Sequence, residues 1–145
     1  MKIVNFILCD DIRKELGNKI SLMGVYRDSI EFLVSADKTN SWPKKKQMSF
    51  LFDFLISPEV AQIAKNFQIL ITYLGIESII AKGPMSQPQE IDTSLKPIRL
   101  SLLASYMYAF PSEGRLEFKV ELLDETQRVI ETASPDIGFD VLERF

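Results

Sequence analysis

The stretch Arg115-Leu116-Glu117-Phe118-Lys119-Val120-Glu121-Leu122 decides the fold, because its apolar and charged residues alternate without a break. In an extended chain the four apolar residues fall on one side and the four charged residues on the other. Alternation with a period of two is typical of a half-buried antiparallel strand whose apolar face lies in the core. The stretch therefore predicts a sheet that packs on one face and meets water on the other.

Segments on both sides of this stretch carry similar patterns. Turn residues at Asp124–Gln127 separate it from a predicted partner at Arg128–Thr132, and Pro111–Gly114 joins it to Ile98–Phe110. Further strands are predicted at Gln47–Ser57, Phe67–Leu74, Ile76–Lys82, Ser29–Val34, and in a hairpin of Lys2–Lys14 and Lys19–Tyr26. We therefore predict an all-β fold of about eight strands, either a β-sandwich or an open barrel.

Only Ser57–Asn66 carries a helical signal. Ser57 suits an N-cap, Pro58 suits the first helical position, and apolar residues follow at helical spacing, which predicts one or two helical turns. Two segments, Ser35–Lys46 and Gly83–Lys96, are predicted to be long loops, and loops of this length are uncommon unless they are functional, disordered or ordered by a partner.

Composition excludes several classes of site. The 145 residues suit one domain, 1–145, and include no histidine and a single cysteine. Histidine-dependent nucleophiles, histidine-ligated zinc, internal disulfides and multi-cysteine metal centres are therefore excluded. The net charge of −3 gives no basic excess, so binding to nucleic acid or to a membrane surface is not expected. Glycine-rich phosphate loops are absent, and we expect neither a cofactor nor enzymatic activity.

The N-terminal apolar run does not predict a signal peptide or a membrane span. Asn5 interrupts it, Asp10 and Asp11 follow at once, and no stretch approaches the roughly 18 apolar residues that a span requires. We interpret the run as a buried first strand and expect a cytoplasmic protein, in which a single reduced cysteine is ordinary.

An alternative function would use the remaining polar side chains. Asp10 and Asp11 end the first apolar run, and Tyr106 and Tyr108 share one side of a predicted strand. Together they would line a small-ligand pocket or a carboxylate-dependent hydrolytic site. Neighbouring strand residues point to opposite faces, however, so the two aspartates converge only if a bulge redirects one of them.

A second candidate contact lies in the predicted loop before the phenylalanine-rich strand, at Trp42, Lys44, Lys45 and Lys46. An aromatic residue beside three lysines is compatible with phosphate contact and base stacking. The interpretation we favour is that these lysines protect an exposed edge strand from pairing with other chains.

Five leucines fall on strand faces or strand ends that the alternation directs outward: Leu51, Leu55, Leu70, Leu74 and Leu103. A contiguous exposed apolar patch on a soluble protein marks an interface. Two explanations stay open, since either another protein molecule or a segment of the same chain would cover them.

Two stretches resemble a known family. Cys9–Tyr26, CDDIRKELGNKISLMGVY, resembles the opening CD-x-x-R-x-E-x-x-x-K-x-S-L-x-G-x-Y/F signature of a family of small uncharacterised bacterial proteins, and Phe110–Val120 is similar to that family's second characteristic stretch. Together they cover about a fifth of the chain. The resemblance implies an immunoglobulin-like sandwich and a bacterial cytosolic origin, but no catalytic residue.

The sequence thus predicts a non-catalytic β-sandwich that acts by binding another protein or a second copy of itself. The small-ligand or hydrolytic pocket remains the alternative.

Overall fold

The computed structural model describes residues 1–35, 42–85 and 96–144. These residues form ten strands and one short helix, with the following bounds: β1 Lys2–Glu15, β2 Lys19–Val25, β3 Ser29–Leu33, β4 Lys44–Ile56, α1 Pro58–Ile63, β5 Asn66–Tyr73, β6 Ile76–Pro84, β7 Ile98–Phe110, β8 Gly114–Leu123, β9 Val129–Ala133 and β10 Phe139–Arg144. The all-β prediction is confirmed.

The strands form two sheets with a shared core. The four-stranded sheet has the order β2-β1-β4-β7 and is antiparallel throughout. The six-stranded sheet has the order β3-β10-β8-β5-β6, and β9 pairs with the same edge of β8 that β10 uses further along. Because β3 and β10 run parallel, this second sheet is mixed rather than wholly antiparallel as expected.

The core lies between the inner faces of the two sheets. The alternation of Arg115–Leu122 holds, since Leu116, Val120 and Leu122 are fully buried and Phe118 is nearly so. Phe118 meets the aromatic row of the opposite sheet, with its ring centroid 5.0 Å from that of Phe6. Burying one such side chain stabilises the fold by roughly 1.5–3 kcal/mol, so this aromatic layer holds the sheets together.

The predicted loop before the phenylalanine-rich strand ends earlier than expected. β4 begins at Lys44, not Gln47, and pairs with β7 without a break from Lys44–Phe110 to Ile56–Ile98. The three lysines are therefore strand residues, which corrects their assignment to a loop. β4 lies between β1 and β7, but its pairing with β1 ends at Ser49, so the lysines pair with β7 alone and their role in protecting a strand edge stays a prediction.

One strand was missed by the sequence patterns. β10 has only Phe139 and Val141 as buried alternating residues, and that run is too short for a periodicity to stand out. Its pairing with both β8 and β3 holds it in place.

The predicted position of the short helix and its predicted N-cap are both confirmed. The Ser57 hydroxyl accepts a hydrogen bond from the Val60 N–H at 3.2 Å, and Pro58 begins α1. The helix ends at Ile63, because the chain enters β5 at Asn66. In the described part of the chain, no helix is long and apolar enough to cross a membrane. Residues 36–41 and 86–95, within the two predicted loops, lie outside the described residues.

Candidate interaction surface

The five candidate leucines lie on two different surfaces. Leu51, Leu55 and Leu103 belong to β4 and β7 of the four-stranded sheet, whereas Leu70 belongs to β5 of the other sheet and Leu74 to the turn after it. Leu51 and Leu70 are buried, while Leu103 and Leu74 are 38% and 49% exposed. The leucines therefore do not form one patch, because the fold separates β4 and β7 from β5.

Three apolar side chains form a row across the outer face of the four-stranded sheet. Leu51 pairs with Ile7 of β1 on one side and with Leu103 of β7 on the other. Directly paired residues of an antiparallel sheet share a face, so the three side chains lie next to one another. Leu51 is buried without belonging to the core cluster between the sheets, as are Ser49 and Asp53 on either side of it along this face of β4.

A charged group is held on the same face, one pair along the strands. Asp53 accepts hydrogen bonds from Ser101 and from Arg99, whose Nη2 is 3.0 Å from Asp53 Oδ2. Burial raises the pKa of the Asp53 carboxyl, but these hydrogen bonds outweigh burial and bring the pKa below its ordinary value. Sequence reasoning missed this group because Asp53 and Ser101 become neighbours only when β4 pairs with β7.

The β7 edge, by which we mean the side of Ile98–Phe110 that faces away from β4, is a candidate pairing surface. Among the described residues, β7 pairs with β4 alone. Its 13 residues keep one register without a bulge, contain no glycine or proline, and include one charged side chain, Arg99. Leu103 and Met107 lie on the outer face beside this edge, and Met107 is 53% exposed.

The other outer strands carry features that discourage pairing. β3 has only five residues, and β2 contains Gly24 at φ +67°. β6 carries Glu77 and Lys82, ends at Pro84, and shifts register against β5. Short strands, charges, prolines and bulges are the usual protection of sheet edges. Within residues 1–35, 42–85 and 96–144, β7 is thus the longest outer strand, and like β2 it has one charge and neither proline nor bulge.

Two of the three lysines form ion pairs with carboxylates of the same chain. Lys44 Nζ is 3.3 Å from Glu143 Oε1 and 5.3 Å from the Trp42 ring centroid, and its side chain is only 11% exposed. Lys46 Nζ is 3.0 Å from Asp10 Oδ1. Lys45 is exposed. Because Lys44 and Lys46 hold internal carboxylates, the cluster does not present three cations to a phosphate backbone.

The four residues of the alternative pocket do not converge. Asp10 accepts a hydrogen bond from Tyr26 and pairs with Lys46, whereas Asp11 pairs with Arg13 at 3.1 Å. Burial raises the pKa of Asp10, but its bonds to Tyr26 and Lys46 lower it to below the ordinary value.

The two tyrosines of that pocket belong to an aromatic cluster on the inner side of β7. The Tyr108 ring centroid is 4.8 Å from that of Phe110 and 6.4 Å from that of Tyr106. A cavity of about 580 Å³ lies elsewhere, between residues 1–6 and 133–137. The rings of Tyr106 and Tyr108 thus pack within this aromatic cluster.

The single thiol is also buried. Cys9 is fully buried and pairs with Ser49 on the outer side of the four-stranded sheet rather than in the core between the sheets. Burial and the adjacent aspartates raise the pKa of the Cys9 thiol, which disfavours the reactive thiolate. Among the residues the structure describes, no three Cys, Asp or Glu side chains cluster closely enough to hold a metal ion.

Comparison with protein-family models and with curated proteins gave no match for this chain. The family resemblance of Cys9–Tyr26 therefore stays a prediction. Its residues do meet in the structure, because Asp10, Gly24 and Tyr26 contact one another across the β1–β2 hairpin.

Proposed function

We propose that this protein is a non-catalytic β-sandwich that binds another protein molecule through its four-stranded sheet, at the β7 edge and the exposed side chains beside it. The observation that carries the proposal is the β7 edge itself, which offers 13 residues in one register with a single charge. An unpaired strand edge presents a row of backbone N–H and C=O groups, and such an edge accepts a strand from another chain.

Side chains next to the edge support the same proposal. Leu103 and Met107 lie on the outer face, so a partner that adds a strand would also cover their apolar surface. In strand addition the backbone hydrogen bonds give affinity, and contacts of alternate side chains give specificity.

The polar side chains favour binding over catalysis. Asp53 is held by Arg99 and Ser101, and Asp10 is held by Tyr26 and Lys46. The alternative, a small-ligand or hydrolytic pocket, has less support because its aspartates have separate partners. A cytosolic location is part of the proposal, since one unpaired thiol is ordinary in a reducing compartment.

The proposal is tested by photo-crosslinking in cells that express the full chain. A photoreactive amino acid replaces Met107 or Leu103 on β7, or Leu16 as a control that is 93% exposed at the β1–β2 turn. We expect protein adducts at Met107 and Leu103, with several-fold fewer at Leu16. The proposal would be contradicted if neither β7 position formed adducts, or if Leu16 gave as many adducts as the β7 positions.

A further inference from the structure

We infer that the β7 edge is occupied by β7 of a second copy of this chain, so that two antiparallel strands join two four-stranded sheets across a twofold axis. This inference rests on the proposed function and names the partner. A twofold interface uses the same surface on both molecules, and an antiparallel strand pair has the required symmetry. Self-pairing therefore requires that the side chains of β7 be compatible with those of β7 in the second copy.

The register with full overlap is free of charge repulsion. When Ile98 lies opposite Phe110 of the other copy, the axis passes through Ala104 and Arg99 lies opposite Ala109. The two arginines are then ten residue steps apart, about 34 Å at strand spacing, which is well beyond the Debye length at physiological salt. Neither arginine therefore faces a charged residue of the other copy.

The side chains also match in this register. On the inner side, Leu102 meets Tyr106 and Leu100 meets Tyr108, while the small Ala104 side chains meet at the axis. Aliphatic and aromatic partners of this kind stabilise cross-strand pairs. These inner residues are already half-buried against the core of their own copy, so pairing extends an apolar layer that exists in each molecule.

The outer side gains cover as well. Leu103 of one copy lies opposite Ser105 of the other, which places the two Leu103 side chains diagonally across the axis, within reach of each other. Leu103 is partly exposed in the single chain and ends the row that begins at Ile7 and Leu51. A second copy would therefore cover the exposed end of this apolar row while pairing a free strand edge.

The edges of the single chain give the reason to choose a second copy as the partner. β3 is short, β6 carries charges, a proline and a register shift, and β2 is seven residues long with one charge, whereas β7 offers 13 residues with one charge near one end. Copies of a chain with such an edge pair with one another unless the edge is protected. Self-pairing therefore covers the longest outer strand among the residues the structure describes.

The test measures the mass of the purified full chain by light scattering and sedimentation over concentrations from micromolar to submillimolar. We expect a dimer, and we expect Leu103→Lys to raise the dimer Kd at least about tenfold, because two ammonium groups would face each other across the axis. Met23→Lys is the matched control, since Met23 is 45% exposed on the opposite edge strand of the same sheet. Circular dichroism checks that both variants fold.

Cysteine crosslinking tests the register. Ala104→Cys places two thiols opposite each other at the axis, within disulfide reach, whereas Ala109→Cys places them about 34 Å apart. We expect mild oxidation to link the first variant and not the second, while the buried Cys9 of the wild type stays unlinked.

Three outcomes would overturn the inference. A strict monomer at every concentration would do so, and so would a dimer that Leu103→Lys does not weaken, or equal linkage of Ala104→Cys and Ala109→Cys. If the chain is monomeric but Met107 crosslinks to a different protein in cells, the proposed function stands and only the identity of the partner is wrong.

Discussion

At the scale of single residues, Gly24 allows Asp10 to reach its partners. Gly24 has a φ of +67°, and a Cβ at this position would lie 2.9 Å from Asp10 Cγ. The carboxylate of Asp10 occupies that space while it accepts a hydrogen bond from Tyr26 and pairs with Lys46. The hairpin therefore depends on glycine here for two reasons, backbone conformation and space.

We expect Gly24→Ala to lower the free energy of unfolding by about 1–3 kcal/mol, measured by urea denaturation. Gly75→Ala is the control, because Gly75 has a similar φ of +75° but a Cβ added there would meet nothing within 4 Å. Gly24→Ala should lower the free energy of unfolding more than Gly75→Ala does. When both are introduced into the Asp10→Ala variant, the two losses should become equal. Equal losses at the two glycines would mean that the contact with Asp10 contributes nothing.

The lowered pKa of Asp53 predicts that the free energy of unfolding depends on pH in the acid range. Its pKa in the folded protein lies below the ordinary value of 3.8, since its bonds from Ser101 and Arg99 outweigh the effect of burial. A lowered carboxyl pKa contributes stability that is present above the unfolded pKa and is lost as the pH falls through the folded pKa. We therefore expect unfolding free energy to decrease as the pH falls from about 5 towards 2.

Asp53→Asn should lower stability at pH 7 and make the acid decline shallower, as measured by urea unfolding at several pH values. The decline should persist in part, because the pKa of Asp10 is also lowered, by its bonds to Tyr26 and Lys46 against the effect of burial. Asp136→Asn, at an exposed position, is the control. An unchanged acid decline in Asp53→Asn would contradict this account.

At the scale of elements, α1 shows a local signal that is sufficient by itself. Its cap, Ser57, and its first residue, Pro58, stand together in the sequence, and the cap bond to Val60 closes within three residues. No distant part of the chain is needed to form this start, which is why the sequence predicted it.

We expect Ser57→Ala to lower the free energy of unfolding by about 1 kcal/mol, because the Val60 N–H loses its acceptor. Ser57→Asp keeps an acceptor at the cap and should remain close to the wild type in thermal and urea denaturation. If both substitutions lower the free energy of unfolding equally, the loss comes from packing of the Ser57 hydroxyl and not from its hydrogen bond with Val60.

The start of β4 shows where element prediction fails. The lysines before Gln47 lack an apolar alternation, yet pairing with β7 extends β4 back to Lys44. The largely buried side chain of Lys44 is tolerated because Glu143, from the other sheet, pairs with it. That partner lies near the opposite end of the chain and belongs to the strand that the periodicity missed.

At the scale of the whole molecule, the arrangement of the sheets determines which surfaces remain available. The candidate leucines differ in exposure once the sheets form. Leu51 is the buried middle residue of a row across the sheet, whereas Leu103 is the partly exposed residue at its end. Leu70 belongs to β5 of the other sheet, and Leu74 lies in the turn after it. The proposed interface therefore follows from strand order, with β7 outermost, and not from leucine content.

The sequence by itself determined that this protein is all-β and which side of β8 is buried, because the alternation from Arg115 to Leu122 acts between neighbouring residues. It also determined which histidine- and cysteine-dependent sites are excluded, because composition alone sets that limit. Only the tertiary structure decided that β7 is an outer strand, that Asp53 meets Arg99, and that Asp10 and Asp11 have separate partners. These relations depend on which distant strands pair, and pairing is set by packing of the complete sandwich, not by any local period.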